Sequence, residues 1–396
     1  MDLQESKNAL RTAVEAVFPV MRRIGRHLFD HPELSGEERE STRFLAEEME
    51  KLGFTVQRPY CGIETALRAD FKNGDGPTVA FLAEYDALPG YGPGKDAPAH
   101  ACGHNWIAAT CCGAAAALAR CPEAFRGTVS VIGAPAEETY GGKVELLRAH
   151  GYDGVDAAVQ IHLGERTTMD GAFLALDAME FTFHGKAAHA AGQPHLGINA
   201  LDAVMLTFAG INALRQHVTP DVRMHGIVTD GGRACNVVPD LGRCRFYLRA
   251  AKRAYLDELR ERVINVARGA ALMTGATMEW RRYENPFDEL LHRPRMIAAL
   301  RANLEANGVT EFTTRAGGEA FGSSDVGNVS QACPTVYAEL SAGLAPGVAP
   351  HMEGFLEGVV GERADRTMRV AAAAMGMTAL DVFSDPAFYL APAEEQ

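Results

Sequence analysis

Residues 78–86 read Thr78-Val-Ala-Phe-Leu-Ala-Glu84-Tyr-Asp86. A short, almost wholly apolar run ends on two acids, and two other stretches repeat the design. Thr128–Ala134 runs into Pro135-Ala-Glu137-Glu138, and Ala157–Ile161 runs into His162. A strand with one wet face alternates apolar and polar residues, whereas an unbroken apolar run of this length is a strand buried on both faces. Helical patterns near Trp106–Ala119 and Lys143–His150 separate the three runs. Strands and helices in alternation predict a mostly parallel sheet with helices on both sides.

Upstream, Asn8–Phe29 carries apolar residues at helical spacing. Ser35 followed by Glu38 reads as a capping box opening a second helix, which runs to about Leu52 and stops at Gly53. Strand patterns follow at Thr55–Gln57 and Ala66–Phe71. The middle third changes character. Strands at Glu180–His184, Val222–Thr229, Arg243–Arg249 and Thr277–Arg282 are interleaved with helices at Ile198–Arg215 and Ala254–Met273. This βαββαβ order is that of a small ferredoxin-like α+β unit. The last third returns to the first pattern, with a helix at Pro294–Ala306, a strand at Pro334–Ala338 and a helix at Arg363–Leu380. The expected architecture is an α/β catalytic domain in two parts, residues 1–177 and 289–396, interrupted by an inserted α+β lid over 178–288. Pro89–Pro98 is the nearest thing to a linker.

Composition bounds the function. The 396 residues are 47% hydrophobic and 22% charged, an ordinary globular balance. A net charge of −13 lacks the basic footprint of nucleic-acid binding and is repelled by anionic membranes. Met1–Ser6 has neither the basic nor the apolar region of a secretory signal. Asn105–Ala119, the longest uncharged apolar run, is short for a membrane span and predicts a buried helix. Eight cysteines in a chain of this length are no disulfide scaffold, and Cys111 and Cys112 read as small core residues. A cytoplasmic location is expected.

The polar residues after the three buried strands fall at the carboxyl ends of a parallel sheet, where open α/β folds bind ligands. Glu84, Asp86, Glu137, Glu138 and His162 would converge there. Just before the Ala-rich helix stands His100-Ala-Cys102-Gly-His104-Asn105. A thiolate and an imidazole two residues apart can bind zinc or its first-row neighbours; alone they could equally be a buried cysteine beside a helix-start histidine. Together with the acids and His162 they favour a metal site. Two adjacent glutamates in an extended turn point apart, so one can ligate while the other serves as general base. His351, in a Pro-rich loop, has the loop surface as its alternative. Ser323-Ser-Asp325 reads as a helix N-cap, and His189 and Asn236 read as turn residues. Gly90-Tyr-Gly92-Pro-Gly94-Lys95 fails as a phosphate loop because Asp96 replaces the Ser or Thr. Gly322-Ser-Ser324-Asp-Val326 fails as a nucleophile elbow for want of a second glycine.

Glu84-Tyr-Asp86-Ala-Leu-Pro89, His100-Ala-Cys102-Gly-His104-Asn105 and Pro135-Ala-Glu137-Glu138 resemble the amidohydrolase branch of peptidase family M-20. Gly185-Lys-Ala-Ala-His189, Asn236-Val-Val-Pro239, Gly322-Ser-Ser-Asp325 and His351 continue the match in order over nearly the whole chain. The branch includes auxin-conjugate amidohydrolases, aminobenzoyl-glutamate hydrolases and N-acyl-amino-acid hydrolases. The resemblance implies a zinc-peptidase-like catalytic domain with a lid that often dimerises. It implies two divalent metal ions per subunit (zinc, manganese or cobalt) held by Cys102, His104, Glu138, His162 and His351. It makes Glu137 the base, Asp86 the acid that orients a ligand, and His189 an oxyanion donor, often from the partner subunit. Asn236 stands where the family binds the substrate carboxylate, and Arg249 is a second candidate for substrate binding. Glu84 departs from the branches that place a metal-binding histidine there, and Tyr91–Ala99 resembles an extra loop beside the site.

The implied activity is hydrolysis of an amide of a small N-acyl or N-aminoacyl amino acid, by metal-activated water with a glutamate base. The alternative is a deaminase or ureido-type hydrolase that releases ammonia at the same site. The expected partner is a small carboxylate-bearing substrate, with no nucleic acid and no membrane, and the expected assembly is a homodimer or higher homo-oligomer.

Overall fold

The computed structural model describes residues 1–314 and 320–391. Among them, ten strands make two main sheets: β1 (Thr55–Gln57), β2 (Leu67–Asn73), β3 (Thr78–Glu84), β4 (Gly127–Ala134), β5 (Ala157–Gly164), β6 (Ala175–His184), β7 (Arg223–Asp230), β8 (Leu241–Ala250), β9 (Thr277–Arg282) and β10 (Thr335–Ser341). The chain divides into two compact units. One comprises Met1–Ala172, Leu290–Ala320 and the residues from Asn328 onward; the other comprises Phe173–Glu289 with Phe321–Gly327.

The first unit is built on a six-stranded sheet of order β1-β2-β4-β3-β5-β10. β4, β3, β5 and β10 run parallel; β2 is antiparallel to β4, and β1 to β2. The apolar runs lie in the middle of this sheet because only a strand covered on both faces gains from being apolar at every position. The cover includes the helices Leu3–Asp30, His104–Ala119 and Glu362–Ser384. Leu3–Asp30 is amphipathic: Leu10, Val14, Val17, Met21, Ile24 and Leu28 are buried at helical spacing. Its N-terminus is closed by a capping box between Asp2 and Glu5. Truncating Met21, which is fully buried, to alanine costs about 2–5 kcal/mol. His104–Ala119 is buried along nearly its whole length, as its lack of charge predicts.

Two local readings are corrected. The helix Arg39–Lys51 has Glu38 as its N-cap residue with no side-chain cap, so the Ser35–Glu38 capping box does not form. Both side chains serve other loops: Ser35 donates to Asp86 (2.7 Å), and Glu38 accepts from the backbone of Gly36 (2.9 Å) and Ala136 (2.8 Å). β5 also extends through Gly164, so His162 lies within the strand rather than after it. Pairing with β10, in which His162 sits opposite Glu339, carries the strand past the end of the apolar run.

The second unit has the element order βαββαβ, with the helices Ala200–Leu214 and Arg253–Thr274. Its sheet is antiparallel throughout, in the order β9-β6-β8-β7. Met179, Phe181, Phe183, Cys244, Phe246 and Leu248 pack on one face against Val204, Ile211, Leu259 and Val263 of the helices. Charged groups occupy alternate positions: Glu180 on β6 pairs with Arg245 of β8 and Arg281 of β9, each at 2.7 Å. Buried Asp177 is held by Arg253, Arg260 and Arg282, because a buried carboxylate without such partners is costly. Among the described residues no helix is long and apolar enough to cross a membrane, and all eight cysteines are free thiols.

Candidate metal centre and active site

The carboxyl ends of β3, β4 and β5 bring acids and imidazoles to one edge of the first unit, as the parallel register dictates. Cys102 and His104 join them from the turn before the helix His104–Ala119. Gly103 between them has φ +86° in the left-handed region, which a side chain resists and glycine adopts freely. After β4, Ala136 also has positive φ (55°), a strained value for a residue with a Cβ, fixed in part by the hydrogen bond from its amide to Glu38. Gly142 closes this turn: a Cβ there would stand 2.0 Å from the Pro135 carbonyl oxygen. The result is that Glu137 and Glu138 are presented from a tight, pre-shaped turn.

The ligand-type atoms fall into overlapping triads: Cys102 with His104 and His162; Cys102 with Glu138 and His351; and His104 with Glu137 and Glu138. Within each triad these atoms lie within 4.8 Å of one another. Cys102 belongs to the first two, so one sulfur is shared. The structure thus gathers Cys102, His104, Glu137, Glu138, His162 and His351 from well-separated segments of the chain.

Hydrogen bonds orient these groups. His104 Nδ1 lies 2.7 Å from Asp86 Oδ1, which leaves Nε2 facing the cluster. Asp86 also accepts from Ser35 and from the Glu138 amide (3.0 Å). Burial acts to raise the Asp86 pKa, but His104 and these donors outweigh it and hold the acid well below the usual carboxylate range. His162 donates Nδ1–H to the Leu163 carbonyl (2.8 Å), so its Nε2 carries the lone pair, 3.6 Å from the Cys102 sulfur. Burial lowers the His162 pKa to about 4, keeping it neutral and able to ligate. Burial, with the Glu138 charge, pushes the Cys102 thiol well above its ordinary value, so it ligates only by giving up a proton to solvent. His351 Nε2 is 3.2 Å from Glu138 Oε1. His351 itself has φ +67°. It is pinned from both sides: its amide donates to the Ala101 carbonyl (2.9 Å), and its carbonyl accepts from the Tyr91 hydroxyl (2.7 Å).

These groups fit cations. His104 Nε2 and Glu138 Oε1 are buried, 3.8 Å apart, and neither makes a hydrogen bond among the described residues, although His351 Nε2 stands beside Glu138 Oε1. Buried polar atoms are rarely left so unless a bound ion or water satisfies them. A sulfur, imidazoles and carboxylates form a donor set for zinc, manganese or cobalt.

In the second unit, His189 and Asn236 are brought together. His189 forms a bridge with Val237, and the Ala190 amide donates to the Asn236 carbonyl (3.0 Å). The amides of Ala191 (3.2 Å) and Gly192 (3.0 Å) both donate to His189 Nδ1, so the neutral ring carries its proton on Nε2. Arg249, on β8, donates to Ser323 (3.1 Å) and to His225 Nε2 (2.8 Å) and lies over the Tyr247 ring.

Sequence reasoning missed Ser35, Glu38, Tyr91 and Lys143 as supports of the site. Lys143 is fully buried and its ammonium pairs with Glu84. A lysine after Gly141-Gly142 carries no signal of burial, and a tyrosine 260 residues from its partner carries none of that contact. Ser35 and Glu38 do carry a sequence signal, but it points to a different role.

A family model described as peptidase family M20/M25/M40 matches residues 80–373. The Xaa-Arg dipeptidase of Mus musculus is 33% identical over 396 residues, covering 95% of this chain and 89% of its own. One of the subunits of the p-aminobenzoyl-glutamate hydrolase of Escherichia coli (strain K12) is 37% identical over 295 residues, 70% of this chain and 61% of that one. The crystal structure of a dinuclear metal-binding peptidase of Bacillus subtilis superposes with a TM-score of 0.70 over 93% of this chain and 99% of its own. Its sequence is 22% identical, so that likeness is one of fold.

Proposed function

The chain belongs to peptidase family M20/M25/M40, and from that premise we propose that it is a metal-dependent amidohydrolase acting on small N-acyl or N-aminoacyl amino acids. The observation that carries this reading is the pair of triads sharing Cys102, with Glu137 beside them in a third. Cys102, His104, His162, Glu138 and His351 are the residues that would hold two divalent ions. When bound, these ions polarise an amide carbonyl and make water acidic enough to react near neutral pH.

The chain's own residues do the rest. Asp86 holds His104 by Nδ1, and the Leu163 carbonyl holds His162, so each ring presents Nε2. Glu137, not needed for either of the two triads around Cys102, takes the proton from the attacking water and passes it to the leaving nitrogen. His189, with its proton on Nε2, donates to the oxygen that gains charge as the carbonyl is attacked. Asn236 and Arg249 bind the substrate carboxylate. We further propose a cytoplasmic homodimer paired through the second unit. Its edge strand β7 exposes Ile227 and Val228, an apolar edge that pairing would cover, and the free thiols suit a reducing compartment.

The test is a panel of N-acyl amino acids, dipeptides and aryl amides assayed with Mn²⁺, Co²⁺ or Zn²⁺, reading released amino acid against ammonia. Chelation should abolish activity and a divalent ion should restore it. Glu137→Gln should keep its metal while turnover falls by about 10² to 10⁴. Full turnover by protein shown metal-free by elemental analysis, or ammonia as the sole product, overturns the reading.

A further inference from the structure

Glu84 and Lys143 form an ion pair with both side chains buried at the end of β3, and neither belongs to the ligand triads or to the proton transfer described above. Lys143 Nζ donates to Glu84 Oε1. The other carboxylate oxygen, Oε2, is buried and has no hydrogen-bond partner among the described residues. It lies 3.7 Å from His104 Nε2, which is likewise buried and makes no hydrogen bond among the described residues. A carboxylate oxygen of Glu84 is also within 4.8 Å of one on Glu137. Two buried donor atoms without a hydrogen bond, Glu84 Oε2 and His104 Nε2, each of a type that binds hard or borderline cations, therefore face each other at 3.7 Å.

An ion pair placed only to support the fold would have its free oxygen satisfied by a backbone amide or a hydroxyl, since leaving it bare is costly. We infer that Glu84 is a further carboxylate facing the cation on the His104 side, and that Lys143 is the residue that positions it. Lys143 occupies Oε1 and so turns Oε2 toward His104. Its ammonium also balances the Glu84 carboxylate, so that the pair adds no net charge beside the acids Glu137, Glu138 and Asp86. The inference rests on the metal-dependent reading above and adds a donor to it.

Cobalt titration of the full-length apoprotein followed by visible absorption tests it, because the spectrum reports coordination directly and does not depend on turnover. The wild-type protein should take up two Co²⁺ ions. Glu84→Gln should weaken one of them by about a hundredfold and shift its ligand-field bands, while the thiolate-to-cobalt band from Cys102 persists. Lys143→Met should weaken the same ion by about ten- to a hundredfold, the range for loss of a group that orients a ligand. The double variant Glu84→Gln/Lys143→Met removes both charges together, leaves neither unpaired, and should fold even if a single variant does not. It should reproduce the Glu84→Gln spectrum. A folded double variant with wild-type cobalt affinities and an unchanged spectrum overturns the role of Glu84. A wild-type protein that takes up no cobalt overturns the metal-dependent reading itself, so the two failures are told apart.

Discussion

The two sheets of this chain use the same alphabet and place their polar groups in opposite ways. In β3, β4 and β5 nearly every position is buried, and the acids and imidazoles crowd toward the carboxyl ends. In β8, Cys244, Phe246, Leu248 and Ala250 are buried while Arg243, Arg245, Tyr247 and Arg249 between them are not. A sheet covered on both faces leaves little room for polar side chains along its length, so they gather at or near the strand ends, as His162 does within the last part of β5. A sheet with one open face can display polar groups at every second residue. The first unit therefore has one concentrated site, and the second has a distributed polar surface with single residues, such as His189, on its turns.

That contrast can be broken by experiment. If the second unit completes the chemistry of the first, His189→Ala should lower kcat by about 10² to 10³, the scale of losing one oxyanion donor. Metal content by elemental analysis should stay the same. Mixing His189→Ala with Glu137→Gln subunits should restore activity if sites are shared between chains. Unchanged kcat in His189→Ala would confine the reaction to the first unit.

A second experiment probes how far the concentrated site strains its own support. Burial, then the neighbouring Asp86 charge, raises the Glu38 pKa from 4.5 to about 7. The native state thus holds this proton over a range in which the unfolded chain has lost it. The contribution to stability is complete below the unfolded pKa of about 4.5 and disappears as pH rises toward 7, a loss of about 3 kcal/mol. Glu38→Gln stays neutral and should not show it. Urea midpoints of the two apoproteins, followed from acid to neutral pH, should diverge in favour of the variant; parallel curves would mean that Glu38 ionises normally.

The smallest effect concerns the loop that carries Tyr91. Tyr91→Phe removes the hydroxyl that holds the His351 carbonyl. The loss of one such hydrogen bond, about 1 kcal/mol, should appear as a severalfold weaker affinity for one metal ion, with the other unaffected. Equal weakening of both would make the loop a general support instead of a clamp on His351.

Much of the site is legible in the amino-acid sequence alone. Asp86, Cys102, His104, Glu137, Glu138 and His162 can be marked because each follows, or closely precedes, a run of residues whose burial is written in its composition. His351 can be marked only by resemblance, since a histidine in a Pro-rich loop has no local pattern. Ser35 and Glu38 are visible but misleading: Ser-x-x-Glu is a capping signal by proximity, and nothing in it reports that Asp86 and Ala136 compete for the same atoms. Lys143 is opaque, because a charged residue is assigned to the surface unless its partner is known, and Glu84 is 59 residues away.

The sequence by itself determined the element types, the unbroken apolar strands, the inserted βαββαβ unit and the edge at which the acids gather. These are consequences of hydrophobic periodicity, which acts over a few neighbouring residues and is recorded in them. Only the tertiary structure decided that one sulfur is shared by two triads, which ring nitrogens face the cluster, and that Glu84 keeps an unsatisfied oxygen beside them. Those outcomes depend on distances of a few ångströms between segments far apart in the chain, where hydrogen bonds and desolvation act only once packing has brought the groups together.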